Sequence, residues 1–354
     1  MSIPAKFHER TLEGLLESAT ERVREDGRNN FRAICLSSDL SLEGIAKIFS
    51  SEFAISEQGE FYHLQTKYTK YRREFEVHLY LYEYPETGTP IIFTLNSSED
   101  IRRTAKSAIT AYEGIYYLWI PPNEMDAISD EVMNIEGCRL TKFIGEKFGK
   151  EARTRQERRP EYERREEYSG DDAAQTLEEA KIDYGITPTK LEFEIPTKAN
   201  FTLNNEGEIV MTSGDAEFFF NEIVIGMAVS RVAKMNDQIQ ASKLDVIEVE
   251  GVEVFDKETL EIELNNALDY EDADDFISSL KEQEFHPYNI SAEQGSLLLT
   301  SRVIDEENGG MFSLTTDGKQ LSVLPKHGSS FDSVMRFYRF VVEKFDSEAH
   351  LLGA

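Results

Sequence analysis

Hydrophobic positions in the first 148 residues follow helix spacing and strand spacing in turn. An amphipathic helix comes first, because its apolar stripe recurs at helical spacing with glutamates on the other faces. A strand at 31–36 and a helix over roughly 41–52 follow. The segment 75–84 then alternates apolar and polar residues, and a turn leads into a returning strand. The apolar stripe of the first helix consists of Leu12, Leu15, Leu16, Ala19 and Val23.

The alternation of helices and strands continues to the end of this region. A polar cap with two acidic residues after it opens a helix that runs to about residue 113. A buried strand, another helix and a last strand near 138–144 complete the pattern. This order predicts an N-terminal α/β or α+β domain over residues 1–148.

Residues 149–185 differ in composition from the region before them. Large aliphatic side chains are almost absent, and charges of both signs alternate. Pro160 and the pair Ser169-Gly170 interrupt any helix that forms there. We therefore predict a charged linker or solvated helix over 149–185 and a second domain over 186–354.

The C-terminal half contains an internal repeat. FTLNNEG at 201–207 matches FSLTTDG at 312–318, and in both copies an acidic residue and a glycine form a turn between two strands. Phe220 and Phe331 then lie at equivalent places at or near the start of an apolar helix. The repeat predicts a duplicated β-hairpin-plus-helix unit. The predicted fold class is α+β, with two domains that each consist of a mostly antiparallel sheet with packed helices.

Acidic residues outnumber basic ones, 67 to 38, which gives a net charge of −29. Most of the excess lies in residues 186–354, because 245–284 is almost entirely acidic in its charged positions. Such a field repels nucleic acid and anionic membranes at long range. The acidity therefore constrains the C-terminal part tightly and residues 1–148 much less. Salt adaptation is a second interpretation, although glutamate far exceeds aspartate.

The chain lacks the sequence features of membrane and secreted proteins. No apolar run is long enough for a membrane-spanning helix, and the N-terminus has no apolar core of a signal peptide. Cys35 and Cys138 are typical of reduced thiols rather than of a disulfide framework. We expect a cytoplasmic protein with no membrane partner.

Sequence motifs of catalysis are also missing. There is no glycine-rich phosphate loop, no zinc-type spacing of histidines or cysteines, and no G-x-S-x-G. His63 and His78 could meet across a hairpin, but strand histidines usually serve in packing. We predict no metal site, no cofactor and no assignable catalytic residue, so the prediction leans against an enzyme.

One stretch, FYHLQTKYTKYRR at 61–73, is basic and aromatic and contains no acid. Basic groups neutralise phosphates, and tyrosine rings offer faces on which bases stack. Two arginines in the helix after the adjoining hairpin extend the patch. The alternative is a polar strand whose cations pair with nearby carboxylates. The candidate residues for binding nucleic acid or phosphate are Lys67, Tyr68, Lys70, Tyr71, Arg72, Arg73, Arg102 and Arg103.

These features favour a non-enzymatic, cytoplasmic binding or regulatory protein. Its N-terminal domain would contact a macromolecular partner, with nucleic acid as one candidate, and its acidic domain would contact a protein or a second copy of the chain. One alternative is a divalent-metal-dependent phosphodiester hydrolase, a nuclease, which is suggested only by the many strand-borne carboxylates. Another is a structural subunit of an oligomeric assembly.

Overall fold

Antiparallel sheets dominate the architecture. The described residues form one sheet of eleven strands, one of six strands and a separate two-stranded hairpin, with helices packed on the two larger sheets. The α+β prediction is therefore confirmed. The computed structural model describes residues 6–26, 30–147, 157–159, 162–241, 245–249, 252–256, 259–269, 272–293, 298–326 and 331–352.

The large sheet is built from strands of the first 214 residues. They are β1 (Phe31–Ser38), β2 (Ala54–Gln58), β3 (Phe61–Lys70), β4 (Arg73–Tyr84), β5 (Thr89–Thr94), β6 (Ile115–Tyr117), β7 (Arg139–Lys147), β8 (Arg164–Ser169), β9 (Thr187–Ile195), β10 (Ala199–Asn204) and β11 (Glu208–Gly214). Their order is β2-β3-β4-β5-β1-β11-β10-β9-β7-β8, with β6 also paired to β1. β1 is thus central.

Helices cover both faces of the large sheet. Six helices precede a long core helix in the described part of the chain: α1 (Leu12–Asp26), α2 (Leu42–Phe49), α3 (Ser98–Arg103), α4 (Ala105–Ala111), α5 (Pro122–Met133) and α6 (Ala173–Tyr184). α2, α3 and α4 cover one face over β3 and β4, where Leu64, Val77 and Leu79 alternate with polar residues as strand geometry requires. α1 and the core helix pack on the other face.

The core helix follows β11 directly. Asp215 caps its start, because the carboxylate accepts hydrogen bonds from the backbone N–H groups of Glu217 and Phe218. In its middle segment, Phe219–Val229, most side chains are buried, which agrees with the apolar residues on most faces of that segment. It comprises an α-helical turn (Ala216–Phe218), a π-helical segment (Phe219–Val229) and an α-helical segment (Ser230–Ala241).

The small sheet lies in the C-terminal part. An acidic helix (Asp272–Glu282) and a terminal helix (Phe331–Phe340, continued as a π-helix over Val341–Phe345) pack on it. Its strands are β14 (Leu260–Glu263), β15 (Phe285–Glu293), β16 (Leu298–Asp305), β17 (Met311–Thr316), β18 (Gln320–Pro325) and β19 (His350–Leu351), in the order β15-β16-β17-β18-β14-β19. β12 (Asp245–Val249) and β13 (Val252–Asp256) form the separate hairpin.

The duplicated unit is present. β10–β11 with the core helix and β17–β18 with the terminal helix are both antiparallel hairpins followed by a helix that contains a π-helical segment. Gly207 and Gly318, the turn glycines of the sequence repeat, have φ values of 66° and 97°. Glycine adopts such values without the steric cost that a Cβ imposes.

The segment 149–185 differs from the expected linker. Within its described residues it contains β8 and α6, and β7 pairs with both β8 and β9, so the large sheet continues across it. β8 looks linker-like in sequence because it is an edge strand with alternating exposure and charged side chains. Lys142 on β7 lies 2.5 Å from the carboxylate of Glu167 on β8. The two sheets divide after β11, not at 149–185.

The two sheets share one hydrophobic core. Tyr116 stacks on Phe331 with ring centroids 5.7 Å apart, and Trp119 meets Tyr338 edge-on at 5.7 Å. Buried residues of both parts therefore form a continuous cluster. No helix in the described part of the chain is long and apolar enough to cross a membrane.

Candidate nucleic-acid interface

The basic stretch of the sequence forms strand β3 and the turn into β4. Lys70 pairs with Arg73 across the ladder, so Tyr71 and Arg72 alone make the turn. Their φ values are 50° and 63°. A two-residue hairpin turn of this kind usually contains asparagine and glycine, because side chains with a Cβ are strained at positive φ. Two bulky residues therefore occupy a turn that disfavours them.

The register of the hairpin brings aromatic and basic side chains onto one face. Tyr68 lies opposite Phe75, and Lys70 lies opposite Arg73. The rings of Tyr68 and Phe75 stack with centroids 5.3 Å apart and planes at 15°. Phe75 is 37% exposed, so the stacked pair forms part of the surface.

Helix α3 lies beside this face and supplies further arginines. Its first turn carries a capping box between Ser97 and Asp100, and Asp100 also accepts a hydrogen bond of 2.5 Å from the Tyr68 hydroxyl. Burial and then this bond raise the pKa of Tyr68 to about 12. The hairpin is thereby fixed to the helix, and the Arg103 guanidinium lies over the Tyr68 ring at 5.7 Å from its centroid.

Glu99 is the acceptor for several cations of this face. Lys70 donates to it, Arg103 lies 3.1 Å from it and Arg102 lies 4.0 Å from it. Hydrogen bonds from Lys70 and then Arg103 hold the pKa of this carboxyl below its usual value. Glu99 thus faces three cations, and Asp100, which accepts from Tyr68, is a second carboxylate beside them, so positive charge remains in excess.

The tip of the hairpin carries the cations without a partner. The side chains of Arg72 and Arg73 make no ion pair or hydrogen bond with any part of the chain that the structure describes. Tyr71 is 86% exposed, and the Lys70 ammonium lies over its ring at 5.1 Å from the centroid. We call this surface the hairpin face; it consists of Tyr68, Lys70, Tyr71, Arg72, Arg73, Phe75, Arg102 and Arg103.

Lys67 is the one predicted residue that does not belong to the hairpin face. It lies opposite Glu76, one position out of phase with Tyr68, so its side chain points to the other side of the sheet. There it lies 3.6 Å from Glu74. Phe75 is the residue that sequence reasoning missed, since alternation grouped it with the buried Val77. Placing the turn at 71–72 would have paired Phe75 with Tyr68.

His63 and His78 do meet across the same hairpin. Their Nε2 and Nδ1 atoms are 3.0 Å apart, both side chains are buried, and the rings stack at 5.2 Å. Burial, then the neighbouring His78, lowers the pKa of His63 to about 4; burial also lowers the pKa of His78. Across the described residues, no three His, Cys, Asp or Glu side chains are arranged to hold a metal ion.

A protein of Archaeoglobus fulgidus, described as an uncharacterized protein, is 30% identical to the chain over 292 residues, which cover 77% of each protein. The chain belongs to the family of this archaeal protein. The AF_0896_M family middle domain matches residues 124–206. That match runs from α5 to the turn between β10 and β11, so it includes the segment expected to be a linker. The hairpin face precedes the region that matches the middle domain.

Proposed function

We propose that the protein is a non-enzymatic, cytoplasmic binding protein that contacts single-stranded nucleic acid through the hairpin face. The supporting observation is the pair of unpartnered arginines, Arg72 and Arg73, beside exposed aromatic rings. Guanidinium groups bind phosphate oxygens, and aromatic rings stack on unpaired bases. The combination favours a single strand because the bases of a duplex are already stacked.

The strained turn supports the same proposal. A hairpin with asparagine and glycine at positions 71 and 72 would fold with less strain, since the backbone at both positions is left-handed. Bulky residues persist in strained backbone where their side chains serve a function. Here the strain directs a tyrosine and an arginine out of the tip.

The contact has to work against the chain's net charge of −29. Long-range attraction is therefore weak, and binding depends on a few close phosphate contacts. Three exposed arginines, Arg72, Arg73 and Arg102, predict a slope of about −2 for the logarithm of the binding constant against the logarithm of salt concentration. A larger slope would point to a much wider basic surface.

Fluorescence anisotropy with labelled single strands of about 20 nucleotides, DNA and RNA, tests the proposal between about 50 and 200 mM KCl. The double variant Arg72→Ala/Arg73→Ala should bind at least about tenfold more weakly and reduce the salt slope by more than one. The matched control is Arg139→Ala/Lys319→Ala, which removes two exposed, ion-paired cations, one at the start of β7 and one in the turn between β17 and β18.

Two results would contradict the proposal. One is the absence of binding at the lowest salt concentration. The other is an equal loss in the control variant, which would indicate that only net charge matters. A signal with an acidic peptide but with neither nucleic acid would instead assign the hairpin face to a protein partner.

The acidic C-terminal part completes the proposed function as the region that contacts a protein partner or a second copy of the chain. Its helix at Asp272–Glu282 has three aspartates in its first turn, of which Asp274 and Asp275 are exposed. Light scattering of the full chain with and without the oligonucleotide distinguishes a monomer that binds alone from an assembly.

A further inference from the structure

A cavity of about 430 Å³ lies where the two sheets meet. Its walls come from α4 and β6 on one side and from the terminal helix on the other. The rings of Tyr116 and Trp119 form part of these walls, and both rings are held by aromatic partners from the terminal helix. The volume is in the range of small-molecule sites, and the walls are formed before any ligand arrives.

Carboxylates dominate the charges of this cavity. Glu113 and Glu206 line it from the large-sheet part, and Glu307 and Asp332 line it from the small-sheet part. Anionic groups thus approach the cavity from both parts of the molecule. Burial raises the pKa of Tyr116 to about 12 against the opposing hydrogen bond with the Gly114 backbone, and the charges of Asp332, Asp39 and Glu113 act in the same direction as burial.

The two arginines that line the cavity are already engaged. Arg336 pairs with the buried Asp305 and lies 2.6 Å from Glu307. Arg339 lies 2.9 Å from Glu343, with its guanidinium over the Trp119 ring at 5.9 Å. Neither arginine is left to bind an anionic ligand. Glu206 lies 3.8 Å from Lys106, so Glu113 and Asp332 are the lining carboxylates that have no ion pair within the described residues.

Asp332 is half-buried and has no ion pair within the part of the chain that the structure describes. Burial raises its pKa, and the hydrogen bond of 2.8 Å from Asn308 and the charge of Arg336 only partly oppose that effect. A cation that enters the cavity would stabilise the charged form of a carboxylate in such surroundings. Aromatic rings bind cations through their faces, which adds to the attraction.

We propose that this cavity binds a linear organic cation with two or more amino groups, a polyamine. Two or more ammonium groups match carboxylates contributed by both parts of the molecule. The methylene chain between them matches the tyrosine, tryptophan and methionine walls. Since the walls belong to both parts, the ligand stabilises the contact between the sheets. This site is separate from the hairpin face and does not depend on the proposed nucleic-acid contact.

The cavity contains its own reporter, because Trp119 is the single tryptophan of the chain. Titration of the full chain with spermidine should change the Trp119 fluorescence in a saturable way and raise the melting temperature with concentration. NaCl at matched ionic strength and the neutral 1,4-butanediol are the controls for screening and for apolar binding. Adenosine monophosphate is the control for an anion site.

The variants Asp332→Asn and Glu113→Gln should each weaken spermidine binding by at least about tenfold, since each removes a charged acceptor that has no ion pair within the described residues. The conservative amides keep the shape of the wall, and melting curves confirm that the variants are folded. Glu217→Gln, in the groove beside α1, is the matched control and should leave binding unchanged. No saturable change, an equal change with NaCl, or binding of the monophosphate instead would overturn the proposal.

Discussion

The β10–β11 turn and the β3–β4 turn solve the same geometric problem in opposite ways. Gly207 takes a left-handed backbone with the residue type best suited to it, in a turn packed against the interior. Tyr71 and Arg72 take a similar backbone with large side chains, at the most exposed point of a long hairpin. A turn that packs against the interior thus has the residue that fits its backbone best. A turn at the surface can contain strained residues whose exposed side chains are available for binding.

The largest effect is expected from Gly207→Ala. A Cβ there would lie 2.7 Å from the Leu118 backbone oxygen and 2.9 Å from its Cβ, at a φ of 66°. We expect the free energy of unfolding to fall by about 2–4 kcal/mol. Chemical denaturation measures this change.

Gly88→Ala is the matched control for that variant. Gly88 has the same φ of 66°, but no atom lies within 4 Å of a Cβ placed there. The Gly88→Ala variant should therefore lower the free energy of unfolding by about 1 kcal/mol, because it introduces only backbone strain. Equal costs at the two positions would show that packing around Gly207 is not what distinguishes it.

A second effect, on the pH dependence of stability, should come from His63 on strand β3. Folding keeps His63 neutral, with a pKa of about 4, whereas an unfolded histidine titrates near 6.5. Below pH 6.5 the unfolded chain therefore binds a proton that the folded chain refuses, so stability falls as the pH falls. Between pH 6.5 and 5 we expect a loss of about 2 kcal/mol from this residue. Burial is the main cause of the lowered pKa of His63. The charges of His78, Lys6 and His8 lower this pKa further, and the charge of Glu76 raises it.

Denaturation of the wild type and of His63→Gln across this pH range measures the contribution of His63. The variant should lose less stability than the wild type as the pH falls. Oligonucleotide binding at the tip is expected to change little between pH 6 and 8, because arginines keep their charge there. Parallel pH curves for the two proteins would refute the role of the histidine.

Replacing Tyr71-Arg72 by Asn-Gly should sharpen the contrast between the two kinds of turn. Asparagine and glycine suit left-handed backbone, so the free energy of unfolding should rise by about 1–2 kcal/mol. Binding of single strands should fall at the same time, since the exposed ring and one arginine are gone. If the variant is more stable and still binds single strands equally well, Tyr71, Arg72 and their strained backbone are not required for binding.

Sequence patterns predicted the repeat and the α+β class because each rests on local signals. Acid-glycine turns and apolar helices are readable within a few residues, and both copies of the unit fold as the pattern indicates. The domain boundary was harder to predict. Which strands pair over long distances, such as β1 with β11, is a property of the tertiary structure, and the charged edge strand β8 resembles a linker in composition.

The candidate site was predictable in composition and not in detail. The basic and aromatic residues of 68–73 do come together with Arg102 and Arg103, because the hairpin packs beside α3. Lys67, which the sequence grouped with these residues, lies on the opposite face of the sheet, since a strand changes face at every residue and the register depends on where the turn falls. The cavity between the sheets left no sequence signal, because its walls come from segments about 200 residues apart.

The smallest effect should come from Lys67→Ala, on the side of the hairpin away from the proposed interface. Lys67 is half exposed and 3.6 Å from Glu74, which is itself largely exposed. Solvent-exposed pairs of this kind contribute little, so the free energy of unfolding should change by less than about 0.5 kcal/mol. Oligonucleotide affinity should change by less than about twofold, against at least about tenfold for Arg72→Ala/Arg73→Ala. A loss as large as that of the arginine variant would mean that the ligand contacts both faces of the hairpin, because Lys67 and Arg73 lie on opposite sides of the same sheet.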